Sequence, residues 1–255
     1  MTLKNQLKAR LKNGETLTGT FVCLGHPDVT ECLSRLGYDF LLLDGEHGPI
    51  SFETMQKMMQ AMSGTDCVPI VRPQWNEMVV VKRVLDLGAY GVLLPWVNTK
   101  EEAQNAVQVC KYPPEGIRGC GPRRAATFDP EYFSTVNDEL LITVQIETQQ
   151  AVDNVEEILS VDGIDACYIG PFDLALSMLG RLPDWDNPQY LAAFDKVLAA
   201  SEKSGKPAGM FTGPDNIEWA IKKGFRFNTV GSADDFLMQA AKGALKKALV
   251  AQGKG

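Results

Sequence analysis

Eight short runs rich in Val, Ile, Leu and Phe constrain this chain more than any other feature of it. They cover Thr18 to Leu24, Phe40 to Asp44, Val68 to Arg72, Gly91 to Pro95, Leu141 to Glu147, Ala166 to Gly170, Pro207 to Phe211 and Phe227 to Gly231. Each is bounded by a polar or glycine-rich segment and followed by a helical pattern. A strand that is apolar at every position is buried on both faces, and strands alternating with helices form parallel βαβ units. Eight such units in 255 residues predict an α/β fold, a single (β/α)8 TIM barrel occupying 1–255. A doubly wound sheet uses fewer strands, and no GxGxxG follows the first run. The length lies within what one such domain buries around a full core.

The helical segments carry their own marks. Met55, Met58, Met59 and Met62 recur at three- and four-residue spacing, a stripe that faces the core. A helix from about Glu77 to Leu87 stops at Gly88, which suits a left-handed C-terminal position. The first ten residues, Met1 to Arg10, read as an additional N-terminal amphipathic helix. One connection is irregular: the stretch from Tyr112 to Glu139, between the fourth and fifth strands, is too long for a plain link and so is expected to be functional.

Composition narrows the class of partner. Hydrophobic residues make up 45% and charged residues 22%, the balance of a soluble globular protein. No apolar stretch approaches the roughly 18 residues that span a bilayer, and the N-terminus lacks an apolar signal region, so a cytoplasmic location is expected. The net charge of -7, with basic residues dispersed along helices, argues against nucleic acid. The six cysteines form no CxxC pair or Cys/His cluster, so neither a zinc site nor a disulfide framework is indicated.

In a barrel of this kind chemistry gathers at the C-terminal ends of the strands. The polar residues there are Asp44-Gly45-Glu46-His47, Arg72, Gln145-Ile146-Glu147 and Gly170-Pro171-Phe172-Asp173. Glu147 and Asp173 end adjacent strands, so their carboxylates can converge on a cation; hard oxygens without cysteine or paired histidine favour Mg2+ or Mn2+. The alternative is that each caps the helix after it, as Asp173 before Leu174 can. Arg72 needs an anion, supplied by a bound oxo acid or by a salt bridge to Glu46 or Asp44. His47 suits a general base. His26, also beside the mouth, has no role beyond lining a pocket. The sixteen lysines fall on helices or loops, which argues against a Schiff-base mechanism and for a metal-stabilised enolate.

Five segments together carry a resemblance: Leu43 to Pro49, Val71-Arg72-Pro73 with Trp75-Asn76, Tyr112 to Gly119, Gln145 to Thr148, and Ile169 to Leu174. Their residues and order are similar to those of the HpcH/HpaI family of class II pyruvate aldolases. The resemblance implies Mg2+, Mn2+ or Co2+ held by Glu147 and Asp173, chelated by a 2-oxo acid through its carboxylate and keto oxygens. It implies that Arg72 holds the keto oxygen, and that His47, oriented by Asp86, is the acid/base partner. Gln145, Gly170, Pro171, Phe172 and Asp173 are the implied substrate-binding positions, with backbone amides around Phe172 and Asp173 on the carboxylate. The implied reaction is cleavage of a 4-hydroxy-2-oxo acid to pyruvate, or a close 2-oxo acid, and an aldehyde. Oxaloacetate decarboxylation or a citrate-lyase-β-like reaction uses the same enolate, and a small-acid-binding barrel without turnover is the non-enzymatic alternative.

The resemblance also implies a hexamer, or a trimer, in which C-terminal helices exchange. The segment from Asp234 to Gln252 has an apolar stripe suited to a neighbour, the alternative being an ordinary eighth barrel helix. Arg123 and Arg124 follow Gly119, Gly121 and Pro122 and depart from what the members cleaving dihydroxyheptanedioate lead one to expect. On a loop reaching over the mouth they form an anion site for an aldehyde bearing a carboxylate, phosphate or several hydroxyls. Otherwise they are a solvated pair or bridge to Asp129 or Glu131.

Overall fold

Residues that are apolar in succession can satisfy both faces of a strand only inside a layered sheet. In the computed structural model, which describes residues 4–127 and 129–254, they do so. The strands are β1 (Leu17–Val22), β2 (Phe40–Asp44), β3 (Val68–Arg72), β4 (Gly91–Leu94), β5 (Leu141–Ile146), β6 (Ala166–Ile169), β7 (Ala208–Thr212) and β8 (Phe227–Ser232). They close in sequence order into a parallel barrel, with β8 pairing back to β1. The predicted runs overhang these bounds by up to two residues. Glu147 and Gly170 stand just past their strands, and β7 starts after Pro207, which has no amide to donate but accepts from Cys167 at 3.1 Å.

The helices are α1 (Gln6–Lys12), α2 (Pro27–Ser34), α3 (Phe52–Ala61), α4 (Met78–Asp86), α5 (Lys100–Cys110), α6 (Tyr132–Glu139), α7 (Gln149–Asp153), α8 (Val155–Leu159), α9 (Pro171–Leu179), α10 (Pro188–Ser204), α11 (Ile217–Lys223) and α12 (Ala233–Ala251). The methionine stripe of α3 is buried against the sheet, and α4 ends at Gly88 with φ +100. Side-chain alternation along each strand divides the core. Leu41 and Leu43 face the surrounding helices, whereas Phe40, Leu42, Ile70, Leu93, Leu141, Tyr168 and Phe227 fill the barrel. Phe40 and Phe227 stack there with ring centroids 4.4 Å apart.

The predicted N-terminal helix closes the floor; its first three residues lie outside the described ones. Leu7 and Leu11 of α1 join the barrel interior. Asn5 donates to the carbonyls of Tyr90 and Glu139 at 2.8 and 2.9 Å. Lys8 pairs with Asp165 at 2.9 Å and donates to the Leu140 carbonyl at 2.8 Å. With the N-terminal rim plugged, the inner cavity opens at the C-terminal rim.

The stretch from Tyr112 to Glu139 does not cross the mouth. It leaves the end of α5, contains α6, and feeds the start of β5. A helix following a parallel strand returns the chain to the rim where strands begin, so this connection lies at the floor end, opposite the mouth. Among the described residues no helix is long and apolar enough to cross a membrane.

Candidate functional site

The C-terminal rim encloses a cavity of 370 Å³ bounded by the ends of β1, β2, β3, β5, β6, β7 and β8 and the start of α9. A hollow of 490 Å³ lies at the opposite rim, against Val68, Tyr90 and Leu140 near the strand starts; it gathers no set of carboxylates. The rim cavity does. At its side, Arg72 donates from Nε to Asp44 Oδ1 at 2.9 Å and from Nη2 to Oδ2 at 2.7 Å. The amides of Glu46 and His47 donate to the same Oδ1 at 3.1 and 3.3 Å, because the chain turns tightly at Gly45. Burial would push the Asp44 carboxyl up, but the Arg72 hydrogen bonds and charge, with the two amides, outweigh it and hold it below its ordinary range.

The fork of Arg72 closes on Asp44, one of the salt-bridge partners that the sequence offered. Nη1 pairs with Glu46 Oε2 at 3.1 Å, and the guanidinium lies 4.9 Å from the centroid of the Phe21 ring. Glu46 is pushed upward by its own burial, against Arg72, with the charges of Asp44 and Asp173 adding to the effect. His47 is exposed at the rim, its Nε2 4.0 Å from Glu46.

Across the cavity Glu147 is buried, 3% exposed. Its Oε1 accepts from the Trp96 amide at 2.7 Å and its Oε2 from Gln145 Nε2. Trp96 reaches it with φ at +58, a left-handed backbone that a bulky residue adopts only when its surroundings impose it. Burial pushes the Glu147 carboxyl up to about 7, and the charges of Glu46 and Asp173 reinforce this against the Trp96 amide and Arg72. Asp173 lies in the first turn of α9, half-buried. That helix is capped by Gly170 without a side-chain cap bond, so the capping alternative for Asp173 is not what α9 shows.

Gly170 keeps β6 close to these groups. A Cβ there would stand 2.8 Å from Gln145 Nε2 and 3.0 Å from Glu147 Oε2, while its φ of -88 suits any residue. Gly170→Ala is thus expected to push both side chains aside and weaken divalent-cation binding at least tenfold in titration calorimetry, with the far-ultraviolet circular dichroism unchanged. Unaltered binding would mean that Glu147 is not part of a cation site.

The donor set fits a hard divalent cation. The charge of Asp173 adds to the cost of ionising Glu147, and the buried Gln145 Oε1 has no hydrogen-bond partner among the described residues. Among those residues no group of three or more His, Cys, Asp or Glu converges at ligand spacing.

Three of the residues assigned from sequence lie elsewhere. Asp86 ends α4, and α4 runs from the mouth back to the floor end, so in this chain Asp86 sits away from His47. Its Oδ1 instead accepts from the fully buried Arg118 at 2.7 Å. Arg124 donates to the Leu87 carbonyl at 2.7 Å, and Arg123 is exposed beside it. Both arginines line, with Asp86, a separate 440 Å³ hollow against α3 and α4. The expectation of a loop over this chain's own mouth is corrected by the same topology. His26 caps α2, its Nδ1 accepting from the Asp28 amide at 3.3 Å.

Sequence reasoning passed over Phe21, Cys23, Tyr168, Phe211 and Ser232, which line the cavity. Strand alternation placed alongside the strand-end rule could have found Phe21 and Tyr168, since both point inward. Nothing in the sequence marks the Trp96 amide.

A sequence profile described as HpcH/HpaI aldolase/citrate lyase matches residues 17–240. A 5-keto-4-deoxy-D-glucarate aldolase of Escherichia fergusonii is 40% identical over 236 residues, which cover 89% of this chain and 90% of that protein. An HpcH/HpaI aldolase/citrate lyase family protein from Burkholderia cenocepacia superposes with a TM-score of 0.91 at 32% identity, covering 96% of this chain and 99% of that one. An HpcH/HpaI aldolase from Desulfitobacterium hafniense gives 0.89 at 29% identity over 95% and 96% of the two chains.

Proposed function

The chain belongs to the HpcH/HpaI aldolase/citrate lyase family and is an aldolase, a carbon–carbon lyase, and from that premise we propose that it reversibly cleaves a 4-hydroxy-2-oxo acid to pyruvate and an aldehyde. The name of the glucarate relatives describes such a compound: numbered from its keto end, it is a 2-oxo acid, deoxy at carbon 3 and hydroxylated at carbon 4. The observation that carries the reading is the buried, upshifted Glu147, with Asp173 and Arg72 near enough for their charges to act on it.

In this reading Glu147 and Asp173 hold Mg2+, Mn2+ or Co2+. When bound, the cation supplies the Lewis-acid charge that stabilises an enolate. The amides of Phe172 and Asp173 at the N-terminus of α9 receive the substrate carboxylate, with Pro171 and Gly170 shaping the approach and Gln145 offering its unpaired Oε1 to a donor. Arg72, anchored on Asp44, directs Nη1 to the keto oxygen and balances the charge that grows there. His47 takes the proton from the C4 hydroxyl; the C3–C4 bond then breaks, the aldehyde leaves, and C3 of the enolate is reprotonated to give pyruvate. Asp86, Arg123 and Arg124 would serve a mouth only if it belonged to a neighbouring subunit.

Pyruvate release from 4-hydroxy-2-oxo acids tests the reading. Chelation should abolish it and Mg2+, Mn2+ or Co2+ restore it, while borohydride with pyruvate should leave activity intact. A pyruvyl-lysine adduct would overturn the mechanism. His47→Ala should slow aldol cleavage at least tenfold more than oxaloacetate decarboxylation, because decarboxylation removes no hydroxyl proton; equal losses would take His47 out of the base role.

The reading includes one barrel domain over 1–255 in the cytoplasm, and assembly into a hexamer or trimer. Supporting assembly, α12 projects with Leu237, Met238, Leu245 and Val250 more than half exposed, and Ala233 at its base is its buried residue. As an eighth barrel helix it would bury that stripe against its own sheet. Light scattering that gave a monomer would remove the assembly.

A further inference from the structure

We propose that Trp96 is a positioning residue for the cation site, delivering its backbone amide to Glu147 from a left-handed conformation that its own indole, stacked on Trp75, holds in place. The inference rests on the reading above that Glu147 binds the cation, and goes beyond it by naming what fixes that carboxylate.

Among the described residues Trp96 is the single non-glycine residue with a positive φ, at +58. There the Cβ of an L residue crowds the following carbonyl oxygen, a conflict that glycine would not meet. A bulky side chain kept under such strain needs contacts that compensate it. The amide makes one, donating to Glu147 Oε1 at 2.7 Å. The indole makes the other, with its ring 6.4 Å from that of Trp75 and inclined to it by 30°. Trp75 and Trp96 are 44% and 45% exposed, so the stack is no part of the barrel core and its effect falls on the turn that carries it.

The same turn is held from its other side. Asn98 donates from Nδ2 to the Trp96 carbonyl at 3.1 Å. Its Oδ1 accepts from Thr148, the residue after Glu147, and its carbonyl accepts from Asn154 Nδ2 at 2.8 Å. These bonds join the turn after β4 to the turn after β5, so Glu147 and its donor are held as one body. The stack joins that body to the segment after β3, which starts from Arg72. Trp96 holds Oε1 and Gln145 holds Oε2, so the Glu147 carboxylate keeps one orientation. A cation then meets a ligand that is already ordered.

Titration of the metal-free full chain with Mn2+, the free ion being counted by electron paramagnetic resonance, tests this without turnover. Trp96→Ala loses the stack but keeps the left-handed penalty, so the backbone should leave that conformation and Mn2+ should bind at least fivefold more weakly. Trp96→Gly loses the stack and the penalty together, and should bind within twofold of the parent. Trp75→Ala leaves Trp96 in place and should weaken binding at least threefold. Added to Trp96→Gly it should change nothing, since no stack is left to lose. Melting temperatures identify a variant that fails to fold, and the Trp75→Ala comparison stands without Trp96→Ala. Equal losses in Trp96→Ala and Trp96→Gly would mean that the indole acts by packing and not through the amide, and would overturn the proposal. Parental binding in Trp96→Ala and Trp75→Ala would overturn it as well. In either case loss of Mn2+ binding in Glu147→Gln leaves the cation reading standing. Binding in Glu147→Gln as tight as in the parent sinks that reading and this inference together.

Discussion

Glu147→Gln is expected to lower metal-dependent cleavage at least a hundredfold and, in the same preparation, to raise the melting temperature of the metal-free protein. A carboxyl whose folded value is about 7 against an ordinary 4.5 binds its proton more tightly in the native than in the unfolded state. Stability is therefore lost as pH rises from about 4.5 to about 7, and the whole penalty, about 3 kcal/mol, is present above that window. Glutamine carries no charge to desolvate. Its carbonyl can accept from the Trp96 amide and its NH2 can donate to the unpaired Gln145 Oε1 after that amide turns over. At pH 8 without metal the variant should melt several degrees higher, since 1 kcal/mol corresponds to roughly 2–4 °C in a chain of this size. At pH 5 the gain should shrink. A variant that melts lower than the parent at pH 8 would make Glu147 a structural residue. A variant that cleaves at the parental rate would displace it from the cation.

Arg72 is expected to show two separable losses. Arg72→Ala leaves the buried Asp44 carboxylate without its bidentate partner, and breaking a buried pair from one side costs about 3–5 kcal/mol, read as a lower denaturant midpoint. Arg72→Lys keeps the charge but not the planar fork. One ammonium cannot bond Asp44 twice and also reach the keto oxygen, so turnover should fall at least tenfold, ~1.4 kcal/mol in barrier, beyond any change in stability. The double variant Arg72→Ala/Asp44→Asn should recover part of the stability and none of the turnover. Full activity in Arg72→Lys would reduce the residue to a clamp on Asp44.

The strands could be read from the sequence because each signal is local. Phe40 to Asp44 is apolar over a length that fits a strand and no helix, and such a run has few ways to bury both faces. Their order and parallel sense followed from the helices between them. Strand ends fell at one rim, so Asp44, His47, Arg72, Gln145, Glu147 and Asp173 were marked before any contact was known. The Gly88 stop and the Met55 to Met62 stripe were equally legible, one from the freedom of glycine at positive φ and the other from helical period.

Tertiary structure decided what each of these residues faces. The Arg72 fork closes on Asp44 because β2 and β3 pair in register with Asp44 opposite Arg72, and no local rule ranks that partner above a ligand. Asp86 and Arg123 parted from the mouth because α4 and α5 each carry the chain back across the barrel, a distance set by strand length and not by separation in sequence. The ring contacts of Phe21, Phe211 and Phe172 join residues from three remote segments, and only closure of β8 onto β1 brings β1 and β7 together around one cavity. Which segments become strands and helices, and which residues reach the C-terminal rim, was written in the order of the residues, since burial periodicity and chain reversal act over a few residues. Which of those residues pair, which ionise and which stay open to a ligand depended on distances that exist only once the barrel is closed.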